Sequence, residues 1–145
     1  MSDPASILKM IKENDVKFVD FRFTDPRGKW QHVAQHIDTV DEEMLSEGIM
    51  FDGSSIAGWK VINESDMSLK PDLDTAVMDP FAAQPQLILV CDVYDPVSGQ
   101  PYNRDPRTTA KKGLAHMAAS GIGDTAFFGP EAEFFVFDDV KFAVE

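Results

Sequence analysis

Two stretches carry residue types that could do chemistry. In Gly129-Pro130-Glu131-Ala132-Glu133-Phe134-Phe135 two glutamates stand two residues apart. Side chains alternate along a strand, so Glu131 and Glu133 would share one face, roughly 6.5–7 Å apart along the backbone. Carboxylates held so close repel each other unless a cation lies between or beyond them. Hard oxygen ligands suit Mg²⁺ or Mn²⁺, ions that commonly serve phosphoryl transfer. Paired glutamates also mark a solvent-facing strand edge, and spacing alone leaves both readings open. Phe135 and Phe137 continue the same face, which favours a working pair over an idle one.

The second stretch is Met50-Phe51-Asp52-Gly53-Ser54-Ser55-Ile56-Ala57-Gly58-Trp59. Gly53 and Gly58 open backbone angles closed to other residues, and Asp52, Ser54 and Ser55 offer short polar groups. Apolar residues in a long loop fit a lid or binding loop. They fit an ordinary turn-rich connection equally well, with Asp52 and Ser54 capping local backbone. Other polar residues carry less. His32 and His36 are four apart, which on a strand is about 13 Å, too far to clasp one metal. His116 is expected to pack within a helix, and Arg104, Arg107, Lys111 and Lys112 to form an ion-pair surface.

Short elements with legible ends must position these groups. Ser2 or Asp3 can cap a first helix with Pro4 in its first turn. Lys17 to Thr24 alternates, with Val19, Phe21 and Phe23 on one side and Phe18, Asp20 and Arg22 on the other. Asp25-Pro26-Arg27-Gly28 fits a type I turn, so Lys29 to His36 is the returning strand of a hairpin. Asp41 caps a short helix that Gly48 closes. A loop is expected from Phe51 to Asp66, then strands at Met67–Leu69, Ala76–Met78 and Gln86–Tyr94. Asp105 caps a helix that opens with Pro106 and stops near Gly121, and Ala126 to Asp138 reads as a long strand. Runs of strands with few crossover helices indicate an α+β fold with a mainly antiparallel sheet.

Of 145 residues, 13 are Lys or Arg and 25 are Asp or Glu, a net charge of −12. Such a balance repels phosphates and anionic lipid heads, so neither a nucleic-acid nor a membrane partner is expected. The one cysteine, Cys91, lies in the apolar run Leu87–Cys91 and reads as a buried structural thiol. The start has neither a basic segment nor an apolar signal core, and no stretch approaches the ~20 apolar residues of a membrane span. A cytoplasmic protein is expected.

Taken together, the motifs are more specific than either alone. Phe51-Asp52-Gly53-Ser54-Ser55 with Gly58-Trp59, then Asn63-Glu64-Ser65-Asp66, Asn103-Arg104-Asp105-Pro106-Arg107 and Phe128-Gly129-Pro130-Glu131-Ala132-Glu133-Phe134-Phe135, resemble in order and spacing the type I glutamine synthetases. The resemblance covers essentially the whole chain. It implies a β-grasp N-terminal domain over residues 1–102 and the first helix and strand of a catalytic domain over 103–145. It also implies a homododecamer of two stacked rings, with each active site shared between neighbouring subunits. Glu131 would ligate the divalent ion near the ATP phosphates and Glu133 the one near glutamate, two Mg²⁺ or Mn²⁺ per complete site. Asp52 would enter the neighbour's site, bind ammonium and take its proton, with Ser55 and Asp66 in the same region. ATP then phosphorylates the glutamate side-chain carboxylate, and ammonia attacks the acyl phosphate. Family members are roughly three times as long, in keeping with a separate large domain, so this chain alone is expected to be inactive. Two rival readings are a ligase joining glutamate to another amine and a non-catalytic module that associates with full-length subunits. The small polar loop at Asp52–Ser55, suited to a small cation, disfavours the first.

Overall fold

A computed structural model describes residues 2–61 and 64–144. Met1, Ile62, Asn63 of the second motif and Glu145 lie outside the described residues. In chain order the elements are α1 (Pro4–Glu13), β1 (Phe18–Thr24), β2 (Trp30–His36), α2 (Glu42–Glu47), β3 (Ile49–Asp52), β4 (Asp66–Met78), β5 (Gln86–Asp95), β6 (Gln100–Pro101) and α3 (Pro106–Ser120). Short 3₁₀ turns span Ile37–Thr39 and Gly53–Ser55.

Local signals set the helix ends. The Asp3 carboxylate accepts from the Ser6 N–H at 2.7 Å while the Asp3 N–H donates to Ser6 Oγ, a reciprocal cap with Pro4 in the first turn. Asp41 accepts from Met44 N–H, and Gly48 closes α2 at φ +89. The hairpin turn forms on Asp25, which accepts from the Arg27 and Lys29 N–H groups and from the Gln31 amide.

The strands run in the order β2-β1-β5-β4-β3, with β6 against β5. Among the described residues only β1 and β5 pair in parallel; the other pairings are antiparallel. The α+β class and mainly antiparallel sheet therefore hold. Alternation selects the core: Val19, Phe21 and Phe23 of β1, Met67 and Leu69 of β4, and Leu87, Leu89, Cys91 and Val93 of β5 face Ile7 and Ile11 of α1 and Leu45 of α2. Each such side chain stabilises the fold by ~1.5–3 kcal/mol through burial. Cys91 is part of this layer, and burial pushes its thiol pKa well up, as a structural thiol requires. Asp20 is buried on the opposite face, held by Arg22 and by His32 Nδ1, each at 2.6 Å.

Four expectations need correction. The segments Met67–Leu69 and Ala76–Met78 belong to one strand, β4, interrupted by an irregularity between Asp72 and Val77. The stretch that read as a loop from Phe51 begins inside β3. His116 is exposed rather than packed, because α3 has little amphipathic character and buries only Thr108. Ala126–Asp138 forms no strand and its side chains are exposed. A strand's hydrogen bonds are made to another strand, and among the described residues none lies beside this segment.

Gly48 fixes where β3 leaves α2. A Cβ there would lie 2.1 Å from the Leu69 carbonyl oxygen, whereas at Gly99, also at positive φ, it would meet nothing within 4 Å. Gly48→Ala is expected to lower unfolding free energy by at least about 2 kcal/mol and Gly99→Ala by about 1 kcal/mol, since both incur left-handed backbone cost but only the first a clash. Urea titration of both variants checks this; equal losses would contradict it.

Candidate functional site

Asp52 is the last residue of β3, directly opposite Asp66 on β4. Like charges directly opposed across a strand pair repel; both side chains are exposed, so water moderates the cost. The chain then turns back on the Gly53–Ser55 3₁₀ turn, which Asp52 caps. Asp52 Oδ1 accepts from Ser54 Oγ at 2.6 Å and from the Ser54 N–H at 2.8 Å. The Ser54 hydroxyl, the Ser54 N–H and Ser65 hold this carboxyl below the usual carboxylate range. Gly53 N–H donates to the Ser65 carbonyl at 2.7 Å, and a Cβ at 53 would collide with Met67 Cγ. The glycine is therefore required by close approach. Ser55 is exposed on the same turn. The structure thus brings Asp52, Ser55 and Asp66 to one end of the β3–β4 pair.

Beside Asp66 lies an open hollow of about 760 Å³ lined by Lys60, Glu64, Ser65, Asp66, Asp95 and Ser98, with Val97 at its side. Lys60 Nζ donates to Asp95 at 3.0 Å and sits over the Tyr102 ring. The Ser98 N–H first, then Lys60, pull the Asp95 carboxyl down to about 2. Trp59 is buried against Phe23, Phe51 and Tyr102. Its carbonyl accepts from Tyr102 OH at 2.9 Å, and Arg104 donates to the Gly58 carbonyl at 2.6 Å and to that of Trp59 at 3.3 Å.

Glu131 and Glu133 are not brought to this loop by any contact described. Both are exposed on a segment without regular structure. Their oxygen donors agree in kind with Mg²⁺ or Mn²⁺, yet two exposed carboxylates do not make a site. Among the described residues no three His, Cys, Asp or Glu side chains gather as a metal centre.

Residues 15–96 match the family described as glutamine synthetase, beta-Grasp domain, and residues 103–145 the glutamine synthetase catalytic domain. The chain belongs to the glutamine synthetase family. It is 66% identical over 145 residues to a glutamine synthetase of Azospirillum brasilense and 65% identical to that of Rhizobium meliloti, covering all of this chain and 31% of each relative. It therefore spans about a third of the length of these relatives. The electron cryomicroscopy structure of Plasmodium falciparum glutamine synthetase superimposes with a TM-score of 0.74 at 27% identity, over 83% of this chain and 23% of that one.

Periodicity missed β3, the element that carries Asp52. It also missed Tyr102, and Arg104, expected in an ion-pair surface, instead donates to the backbone carbonyls of Gly58 and Trp59, acceptors that leave no mark in composition. Arg107 and Lys111, by contrast, do form the expected ion-pair surface: Arg107 bonds Asp72 and Asp92, and Lys111 bonds Asp92 at 2.5 Å.

Because Ser54 Oγ is the chief cause of the lowered Asp52 pKa, Ser54→Ala is expected to raise it towards the ordinary value of about 3.9. A depressed folded pKa gives stability that is present above the unfolded value and lost as pH falls through the folded one. In Ser54→Ala that contribution is therefore smaller, and its acid-side loss is complete at a higher pH. Carboxyl-carbon NMR titration checks this; an unmoved Asp52 pKa would contradict it.

Proposed function

We propose that this chain is the amino-terminal part of a glutamate–ammonia ligase that joins ammonium to the side-chain carboxylate of glutamate at the expense of ATP. The observation that carries the reading is an exposed, ionised Asp52 presented at the tip of a rigid strand pair, in a chain of the glutamine synthetase family. Fixed negative charge attracts ammonium and holds it in a defined place. The hydrogen bonds that depress the Asp52 pKa make it a cation anchor first and a weak base second: it takes the proton as the nitrogen commits to bond formation. Ser55 keeps the turn small and polar, and Asp66, opposite Asp52, extends the negative field that draws the cation in.

Glu131 and Glu133 would each contribute a carboxylate to one of two divalent ions, Glu131 towards ATP and Glu133 towards glutamate. The bound ions would supply neutralisation of phosphoryl charge. We place the division between the β-grasp domain, 1–102, and the start of the catalytic domain, 103–145, where β6 gives way to the Asp105 cap of α3. The partners proposed are identical subunits in a ring-shaped dodecamer, with each site shared across a subunit boundary, and the location is the cytoplasm. Among the described residues no helix is long and apolar enough to cross a membrane.

The test is Asp52→Asn in the full-length enzyme, which keeps the shape of the side chain and removes its charge. Turnover at limiting ammonium is expected to fall about 10²-fold or more, the usual loss for a missing proton acceptor, with ATP affinity unchanged. A near-normal rate at low ammonium would overturn the role given to Asp52.

A further inference from the structure

The loop that carries Asp52 and Ser55 is fixed at its start by β3 pairing, and among the described residues no strand follows the Gly53–Ser55 turn until β4. What holds its far arm comes from a distant part of the chain. Three consecutive residues, Gly58, Trp59 and Lys60, are each gripped by the segment around β6 and the residues just after it. Arg104 donates to the carbonyls of Gly58 and Trp59, and Tyr102 OH donates to that of Trp59. Lys60 reaches Asp95 and the Tyr102 ring. Gly58 takes φ +85, which turns its carbonyl sharply relative to the preceding chain.

The side chain of Trp59 adds packing without direction. Its ring nitrogen is buried with no partner among the described residues, so its orientation is set by the aromatic cluster and by the two donors on its carbonyl. Those donors sit at a junction pinned from the other side as well. Asp105 is fully buried as the cap of α3, and Arg107, two residues on, is tied to Asp72 and Asp92 of the sheet. Tyr102 and Arg104 therefore project from a fixed base, and a charged donor serving two carbonyls is worth more than a neutral bond.

We infer that Tyr102 and Arg104 are positioning residues that clamp the Asp52 loop by its Gly58–Trp59 backbone. The effect on catalysis rests on the ammonium-binding role proposed for Asp52; the clamp itself does not. Neither residue touches the reacting atoms in this account. They act by holding the turn from Gly53 to Trp59 closed, and with it the direction in which Asp52 points.

Hydrogen exchange on the 145-residue chain reads the clamp directly, because the loop closes through the Ile56 N–H to Gly53 and Trp59 N–H to Ile56 bonds. In Arg104→Ala these two amides are expected to exchange roughly tenfold faster or more, as suits the loss of charged hydrogen bonds. The amides of β1 and β5 stay as they were. Arg104→Lys, which keeps the charge but not the planar guanidinium whose one terminal nitrogen serves both carbonyls, should recover part of the protection, and Tyr102→Phe should show a smaller loss. Unchanged loop amides in both Arg104→Ala and Tyr102→Phe would overturn the clamp, as would an equal rise in loop and sheet amides. If Arg104→Ala does not fold, Tyr102→Phe decides alone. In the full-length enzyme the same variants should raise KM for ammonium several-fold and leave KM for ATP unmoved. A loosened loop with an unmoved ammonium KM would leave the clamp standing and reject the ammonium role of Asp52.

Discussion

The register between β3 and β4 is the constraint on which the candidate site depends. β3 is four residues long and β4 is its one strand partner among the described residues, so Asp52 lies where the Ile49–Leu69 and Asp52–Asp66 pairings put it. A slip of β4 by one residue would send Met67 and Leu69 from the core to solvent and change the residue opposite Asp52. That slip is opposed at a distance: β4 is itself held by β5, Leu69 against Val93, and both residues are fully buried. Hydrophobic burial in the middle of the sheet thus determines the placement of a charge at its edge.

The charge distribution follows the same division. Acidic residues on the outer face of β4 and β5 are neutralised where α3 begins, by Arg107 and Lys111. At the β3 tip no such pairing is made to Asp52 among the described residues. Its hydrogen bonds come from neutral donors on Ser54 and Ser65, which stabilise the ionised form without cancelling its field. A site that must attract a small cation needs that combination, an anion that stays ionised and remains available.

Much of this was legible in the sequence wherever the cause is local. Helix caps at Asp3, Asp41 and Asp105, the turn at Asp25–Gly28 and the alternation of Val19, Phe21 and Phe23 all depend on residues a few positions apart, and each appears as read. Where the cause is non-local, periodicity failed. β3 is too short, and too close to Gly53 and Ser54, to announce itself. Pro71 and the irregularity after Asp72 made one strand look like two. The segment holding Glu131 and Glu133 has strand alternation, but alternation supplies no partner, and the segment has no regular structure, with Phe134, Phe135 and Phe137 exposed. The grouping of Asp52, Ser55 and Asp66 was suggested by motif rather than by period, and the grip of Tyr102 and Arg104 on the Trp59 backbone had no sequence signal at all.

The central claim is that Asp52 on one subunit and Glu131 on its neighbour serve a single site. It is tested most directly by reassembling full-length subunits carrying Asp52→Asn with subunits carrying Glu131→Ala, each inactive by itself. If the site is shared across the boundary, random one-to-one mixing restores activity to about a quarter of wild type, because that share of interfaces joins an intact Asp52 to an intact Glu131. If mixed oligomers stay inactive while mixed assembly is verified by mass, the two residues belong to one subunit's site and the account is wrong.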